Sequence, residues 1–348
     1  MTKDLSRVTV ADPFGAAADP LLPTVAAAID PATAREIFKH GLPRLAGKEG
    51  RVSVRSIQVV RHKPGKRAVI EYGVRVKRPD APIEKITLIG KIRAKRYGNE
   101  AYRLLDALWQ AGFDGASADG VSVPEPLGVL PELKMWLQLK VPGSVSGLRL
   151  EGAGGVALCR RVVDALHKLH RAGVPAERTH TMADELRILR ECLDRVAQSR
   201  PDLARRLERL QTACDRLGCA VPAPNPCGIH RDFYPAQVIV DDARLWLIDF
   251  DLYCLGDPAL DVGNFIGHGI EENLRARGDT PPWSAQATAM EERFAELSGP
   301  ASSHAVRAYT TLTLARHVYL STQFPDRTPF TDRVLELCEQ RLTAAGCL

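Results

Sequence analysis

His230-Arg231-Asp232-Phe233-Tyr234-Pro235-Ala236-Gln237, followed by Leu247-Ile248-Asp249-Phe250-Asp251, is the stretch that organises the reading of this 348-residue chain. A loop offers an aspartate, Asp232, and five residues later an amide side chain, Gln237. Two short apolar runs come next, Val238–Val240 and Leu245–Ile248, around an Asp241-Asp242 turn, which is a β-hairpin signal. The far end of that hairpin delivers a second carboxylate, Asp249. Each piece alone is common, because His-Arg-Asp occurs by chance and Asp-Phe-Asp after a strand can be a turn. The joint pattern is far more specific.

Upstream, the chain reads as strands. Val52–Val60 and Ala68–Val76 alternate apolar and polar residues across the turn His62-Lys63-Pro64-Gly65-Lys66, and Ile86–Ile92 supplies a third strand. Residues 98–112 carry helical spacing, and strand-like pieces return at Val121–Leu130 and Met135–Val141. Pro142-Gly143-Ser144 punctuates the chain. Beyond it helical periodicity dominates, over 153–172, over 183–217 as one or two helices, and again over 259–348. Before the strands, residues 1–29 are rich in Ala, Pro and Asp and predict a partly ordered segment. Asp30 and Pro31 then start a short helix with Ala34, Ile37 and Phe38 on its apolar face, ended by Gly41. The order predicts an α+β protein with an extension over 1–50, a strand-rich domain over 51–141 and a helical domain over 142–348.

Composition narrows the function classes. With 45% hydrophobic and 26% charged residues the chain has ample material for a core. No apolar run approaches the roughly 20 residues of a membrane span. The first 23 residues lack the pattern of a secretory signal. The eight cysteines show no zinc-like spacing and read as free thiols of a reducing, cytoplasmic compartment. Basic residues are not interleaved with aromatics, so no nucleic-acid partner is expected. Charge is uneven: residues 1–150 hold 24 Lys/Arg against 15 Asp/Glu, and residues 151–348 hold 23 against 27. That asymmetry suits phosphate binding in the first part and carboxylate chemistry in the second.

The Asp-Gln-hairpin-Asp arrangement suits phosphoryl transfer. There the protein does little covalent work and must instead position a nucleophile and neutralise charge. Asp232 suits the orienting and deprotonation of an attacking hydroxyl. His230 is grouped with it as a catalytic-loop residue whose task is to brace the loop. Gln237 and Asp249 offer the hard oxygens that Mg²⁺ prefers.

These residues resemble the aminoglycoside phosphotransferase and choline kinase-like family, related to protein kinases. His230 to Gln237 is similar to that family's catalytic loop and Ile248-Asp249-Phe250-Asp251 to its metal motif. Gly256-Asp257-Pro258-Ala259-Leu260-Asp261-Val262 resembles the segment that follows, and Ala165-Leu166-His167-Lys168-Leu169-His170 the helix before the loop. The resemblance runs from about Val52 to Phe324. It implies a bilobal protein-kinase-like fold, with a small N-terminal antiparallel β-sheet lobe bearing one helix and a larger, mainly helical C-terminal lobe. It also implies ATP and Mg²⁺ as cofactors, a lysine on the third strand (Lys91) and a partner glutamate on the next helix (Glu100). The basic turn with Lys63, Gly65 and Lys66 would lie toward the phosphates, and the hinge backbone from Gln138 to Lys140 toward the adenine. Gln237 stands where most of the family has Asn, one methylene longer, which leaves a nucleotide-binding pseudokinase scaffold as the alternative reading.

Asp261 follows Asp249 by only twelve residues, too few for the long activation segment of a protein kinase. A small hydroxyl-bearing acceptor is therefore expected: a sugar, an amino alcohol or an antibiotic, with the weak acidity of the second part favouring the first two. Candidates to line its pocket are Asp257, His268, Glu271, Glu272 and, more remotely, Arg316 and His317. Asp261 itself reads as structural, an N-cap that braces the catalytic loop.

Overall fold

The computed structural model describes residues 8–40, 42–47, 49–79, 81–94, 99–150, 152, 154–242, 244–278 and 283–348. The chain divides into two compact units, Met1–Pro142 and Gly143–Leu348. Gly41, expected to end the first helix, lies outside the described residues.

The first unit is a six-stranded sheet with helices. In chain order it contains β1 (Thr9–Ala11), α1 (Thr24–Ile29), α2 (Pro31–His40), α3 (Pro43–Ala46), β2 (Arg51–Lys63), β3 (Arg67–Lys77), β4 (Glu84–Arg93), α4 (Asn99–Leu108), β5 (Val121–Ser122), β6 (Pro126–Leu130) and β7 (Met135–Leu139). The sheet order is β1-β2-β3-β4-β7-β6. All pairings are antiparallel except β1, which adds in parallel to β2 through Thr9–Ala11 against Ser56–Gln58. Alternation in β2 and β3 puts Val52, Val54, Ile57 and Val59, and Ala68, Ile70, Tyr72, Val74 and Val76, on the buried face.

That face is covered by the N-terminal segment, whose richness in Ala, Pro and Asp had suggested partial order. Leu22, Val25, Ala28, Ala34 and Phe38 are buried in one cluster with the sheet. Asp30 caps α2, its Oδ2 accepting from Thr33 N at 2.7 Å. Tyr72 fixes the contact: its ring meets Phe38 edge-on at 4.8 Å between centroids, and its hydroxyl donates to Ala28 O at 2.9 Å. Ala28 lies in the last turn of α1, where a carbonyl lacks an intrahelical partner. The signal was spread over single alanines and leucines, each covering one spot of the sheet, with no long periodic run to announce it.

The second unit contains β8 (Ser144–Val145), α5 (Gly147–Leu150), α6 (Gly155–Arg171), α7 (Met182–Ser199), α8 (Ala204–Cys219), β9 (Cys227–Ile229), β10 (Val238–Asp241), β11 (Arg244–Leu247), β12 (Cys254–Gly256), α9 (Pro258–Arg277), α10 (Ser284–Ser298), α11 (Ser302–Gln323) and α12 (Thr331–Ala344). The helical stretch expected over 183–217 is two helices, broken at Arg200-Pro201, because proline disfavours helical geometry in its predecessor. A capping box opens α7: Thr181 Oγ1 accepts from Asp184 N, and Asp184 Oδ2 accepts from Thr181 N at 3.0 Å. β10 and β11 form the hairpin read from the sequence, and β8 pairs with β10. Gly143, at φ +103°, makes that pairing possible, since a Cβ there would strike the Val240 carbonyl. β9 and β12 form an antiparallel ribbon of three residues each, too short for a periodic signal.

α9 and α11 pack most closely. Gly263 and Gly267 form a bare stripe on α9. A Cβ at Gly263 would lie 2.9 Å from Thr310 N, and one at Gly267 would lie 2.7 Å from Thr313 Cγ2. The close approach buries polar side chains of both helices, among them Asn264, Glu271, Thr313 and His317. His317 Nε2 lies 3.2 Å from His268 Nδ1, and its Nδ1 lies 3.7 Å from Glu271 Oε2.

Two outcomes test this packing. Tyr72→Phe removes the donor to Ala28 and is expected to cost about 1–2 kcal/mol, read as a lower denaturant midpoint with an unchanged slope. Burial, reinforced by the charges of Arg316, Arg327 and Arg275, drives the His317 imidazole down to about 3. An unfolded histidine takes its proton near pH 6.5. Stability from a neutral His317 is therefore complete above roughly pH 6.5 and drains as pH falls toward 3, by at most about 1.4 kcal/mol per pH unit. Burial holds His268 low as well, so His317→Gln is expected to lessen the decline between pH 6.5 and 4 without abolishing it, in urea titrations across that range.

Candidate active site

The loop from His230 to Gln237 is held at both ends by one residue of the hairpin. Ile248 N–H donates to Gln237 O at 3.0 Å, and Ile248 O lies 2.9 Å from His230 Nε2. Because a carbonyl only accepts, His230 carries its proton on Nε2. The ring is fully buried, stands 4.8 Å from Phe250 and 5.3 Å from Phe233 between centroids, and has no partner at Nδ1. Its one hydrogen bond goes to the residue that follows the hairpin, which makes it a brace. Asp249 follows Ile248 directly, and Asp232 lies between the two anchored ends of the loop. Asp232 and Asp249 are both half-buried, while Gln237 is 4% exposed.

Backbone geometry at the two carboxylates is unusual. Arg231 has φ 70° and Asp249 φ 65°, the left-handed region that costs a non-glycine residue roughly 1–2 kcal/mol. For Arg231 the compensation is visible. Asp261, wholly buried in the first turn of α9, accepts from His230 N at 2.8 Å and from Arg231 N at 2.7 Å. His170 Nε2, at the end of α6, lies 2.9 Å from the same Asp261 Oδ2. Asp261 therefore braces the loop as expected, but it is not the N-cap. That position belongs to Asp257, whose Oδ1 accepts from Ala259 N at 2.9 Å ahead of Pro258.

A metal ion here would rest on few protein atoms. Among the described residues no group of three or more His, Cys, Asp or Glu side chains is placed to hold one. Gln237, whose backbone carbonyl meets Ile248 N–H, and Asp249, next to Ile248, would offer an amide and a carboxylate oxygen, hard donors that fit Mg²⁺, an ion that takes one or two protein ligands and completes its shell with phosphates and water.

In the sheet unit, Lys91 sits on β4 opposite Trp136 of β7, its Nζ 5.0 Å from the indole centroid. Glu100 lies in the first turn of α4 and is exposed. Lys63 and Lys66 are exposed at a tight turn in which Lys66 N donates to Lys63 O at 3.0 Å. Pro64 followed by Gly65 at φ +65° meets the demand of a type II turn. The Gly65 N–H, expected to face phosphate, donates instead to Asp19 Oδ2 at 2.8 Å, and His62 Nε2 lies 2.8 Å from the same oxygen. The Gly65 and His62 bonds hold the Asp19 carboxyl below its ordinary value. At the expected hinge, Leu139 N donates to Glu125 O and Lys140 N to Thr87 O, both at 2.9 Å. Lys140 Nζ pairs with both Glu71 oxygens, at 2.8 and 2.9 Å, and Gln138 is buried.

Several acceptor candidates have structural tasks. Asp257 caps α9, and Glu271 Oε1 accepts from Arg275 Nε at 2.7 Å. His317 is buried, and Arg316 reaches Glu185 and Asn264. Two others lie near the His230–Gln237 loop or Gly147. His268 stacks on Tyr234 at 4.9 Å and 25°. A Cβ at Gly147 would lie 3.9 Å from Glu272 Oε2 and 4.0 Å from Pro235 Cβ. Sequence reasoning missed Asn264, whose Nδ2 donates to Arg231 O at 2.6 Å. Its position three residues after Asp261, on the same helix face, was the available signal.

Known structures share this architecture. A choline/ethanolamine kinase family protein from Mesorhizobium loti superposes with a TM-score of 0.54 at 17% identity, covering 89% of this chain and 94% of its own. A spectinomycin phosphotransferase solved with ADP and spectinomycin gives 0.55 at 11%, covering 92% and 99%. Choline kinase from Cryptosporidium parvum Iowa II gives 0.55 at 14%, covering 92% and 98%. At these identities the likeness is one of fold. No curated protein matches the chain in sequence. The family model described as "Phosphotransferase enzyme family" matches residues 83–306, which include the loop, the hairpin and Asp261, and the chain belongs to that family.

Proposed function

We propose that the chain is a Mg-ATP-dependent phosphotransferase that moves the γ-phosphoryl group to a hydroxyl of a small molecule, with Asp232 as base and Gln237 and Asp249 as metal ligands. The observation that carries this is the double anchorage of Ile248, which ties the Gln237 backbone and the His230 ring to the residue beside Asp249. Chemistry with a loose, phosphate-centred transition state asks for pre-set carboxylates more than for covalent participation.

Asp232 accepts the proton of the acceptor hydroxyl as its oxygen attacks the γ-phosphorus; the bond to the β-phosphate oxygen breaks and ADP leaves. Bound Mg²⁺ would neutralise phosphate charge. Lys91 would contribute a cation to the phosphates from the sheet unit. Lys63 and Lys66 would act through their ammonium groups, since Asp19 already takes the Gly65 N–H.

The acceptor fits a neutral or singly charged hydroxyl compound. Glu272 beside Pro235, with the Tyr234–His268 stack, offers one carboxylate and aromatic faces, a combination suited to an amino alcohol or a sugar. Solved relatives of the same fold include choline kinase and a spectinomycin phosphotransferase. A pseudokinase reading draws on Gln237, whose extra methylene shifts the amide oxygen relative to an Asn.

The test is Mg²⁺-dependent ATP turnover against pooled sugars, amino alcohols and aminoglycosides. Wild type is expected to show acceptor-stimulated turnover, and Asp232→Ala or Asp249→Ala to lower it by about 10²–10⁴-fold. Full turnover in either variant would overturn the assignment. If wild type is silent and Gln237→Asn gains activity, the pseudokinase reading prevails.

A further inference from the structure

The peptide that carries the nitrogen of Asp232 is held at its carbonyl by Asn264. Asn264 is 1% exposed. Its Nδ2 donates to Arg231 O at 2.6 Å, while its Oδ1 accepts from Thr313 Oγ1 at 2.7 Å and from Arg316 NH2 at 3.0 Å. The amide orientation follows from its partners. A guanidinium has no acceptor and a carbonyl has no donor, so the flipped amide would set donor against donor and oxygen against oxygen. Arg316 also reaches Glu185 Oε2 at 3.4 Å, and Glu185 Oε1 lies 2.6 Å from His180 Nε2. Burial lifts the Glu185 carboxyl, but the His180 bond and the Arg316 charge outweigh it and hold Glu185 below its ordinary value. Arg316 is thus anchored from α7 while it orients Asn264 on α9.

The Arg231 carbonyl belongs to the peptide whose nitrogen is that of Asp232. Asp261 holds the N–H of Arg231 and Asn264 holds its C=O, so the peptide planes on both sides of this left-handed residue are fixed from one helix face. We propose that Asn264, oriented by Thr313 and Arg316, is a positioning residue that sets the peptide bearing Asp232 and hence the direction of its carboxylate. This rests on the reading of Asp232 as the base. The bare stripe of Gly263 and Gly267 is what lets α11 come close enough to supply both orienting groups.

The decisive substitution is Asn264→Asp. The shape is kept and the new carboxylate still pairs with Thr313 and Arg316, but Arg316 keeps it ionised, and it then faces the Arg231 carbonyl with no proton to donate. In the full chain, two readouts are taken: hydrogen exchange in peptides spanning 228–234, and Mg-ATP turnover with and without the best acceptor of the pooled panel. The expected result is exchange about tenfold faster in that segment alone, kcat lower by about 10²-fold, as for a misplaced catalytic group, and a KM for ATP within about twofold of wild type. Thr313→Val keeps the Nδ2 bond and loses one orienting donor, so a fall in kcat of a few-fold is expected. Thr313→Ser is expected to restore it, and this pair serves if Asn264→Asp does not fold. Unchanged exchange over 228–234, or faster exchange with kcat intact, would overturn the proposal, as would equal losses in Thr313→Val and Thr313→Ser. A wild type without ATP turnover would sink the phosphotransfer reading instead, and exchange alone would then decide whether Asn264 holds the peptide.

Discussion

The rest of the helical unit depends on one wholly buried carboxylate. Asp261 sits in the first turn of α9, where a negative charge is favoured by the helix dipole, and takes N–H donors from His230 and Arg231 and a third contact from His170. A carboxylate in such a place costs several kcal/mol unless its oxygens are satisfied. The loop, the end of α6 and the start of α9 are therefore obliged to meet. Asp257 caps α9 and Pro258 starts it, and this fixes the turn of helix from which Asp261 projects. Once the loop is held there, His230 can reach Ile248 O, and the β10–β11 hairpin is locked in register with it. The left-handed residues Arg231 and Asp249 sit on either side of this junction, and the strain they carry is sustained by those bonds.

Much of this was legible in the sequence because it is local. The hairpin between Gln237 and Asp249, the strands β2 to β4, and the role of Asp261 follow from alternation, turn residues and spacing along one stretch of chain. What could not be read depends on which side chains two distant segments bring together. Asn264 is oriented by Thr313 and Arg316, 49 and 52 positions later, a meeting that local spacing does not announce. Arg316 and His317 were named as remoter acceptor candidates on the C-terminal helices. His317 is buried on the α9–α11 contact and Arg316 is held by Glu185 and Asn264. Gln138 and Lys140 could be placed at the hinge by order along the chain, but the commitment of the Leu139 and Lys140 N–H groups to other strands of the sheet had no sequence signature.

The N-terminal segment is the sharpest departure. Residues 1–29 are rich in Ala, Pro and Asp, and that composition argued for partial order. Yet Leu22, Val25 and Ala28 cover the sheet, and Tyr72 supplies the hydrogen bond that satisfies the C-terminal turn of α1. Asp19 then ties this covering to the β2–β3 turn, taking the Gly65 N–H and the His62 ring. A carboxylate on a basic Pro-Gly turn occupies the donor that an isolated turn would offer to an anion. The charge of Lys63 and Lys66 remains at the surface while the backbone of the turn is held by the chain itself.

The same economy explains why Gln at 237 is compatible with a metal role. The Gln237 backbone is pinned at both groups, its N–H to Tyr234 O at 2.8 Å and its carbonyl by Ile248 N–H. Only the side chain is left to vary, and an extra methylene moves the amide oxygen by about one bond length without disturbing the loop. Mg²⁺ keeps several waters and tolerates a ligand set in which phosphate and water complete the octahedron. Asp249 itself has a left-handed backbone, at φ 65°, directly beside Ile248. Loop geometry at this site is set by Asp261, His230 and Ile248, a frame that the identity of the amide at 237 does not build.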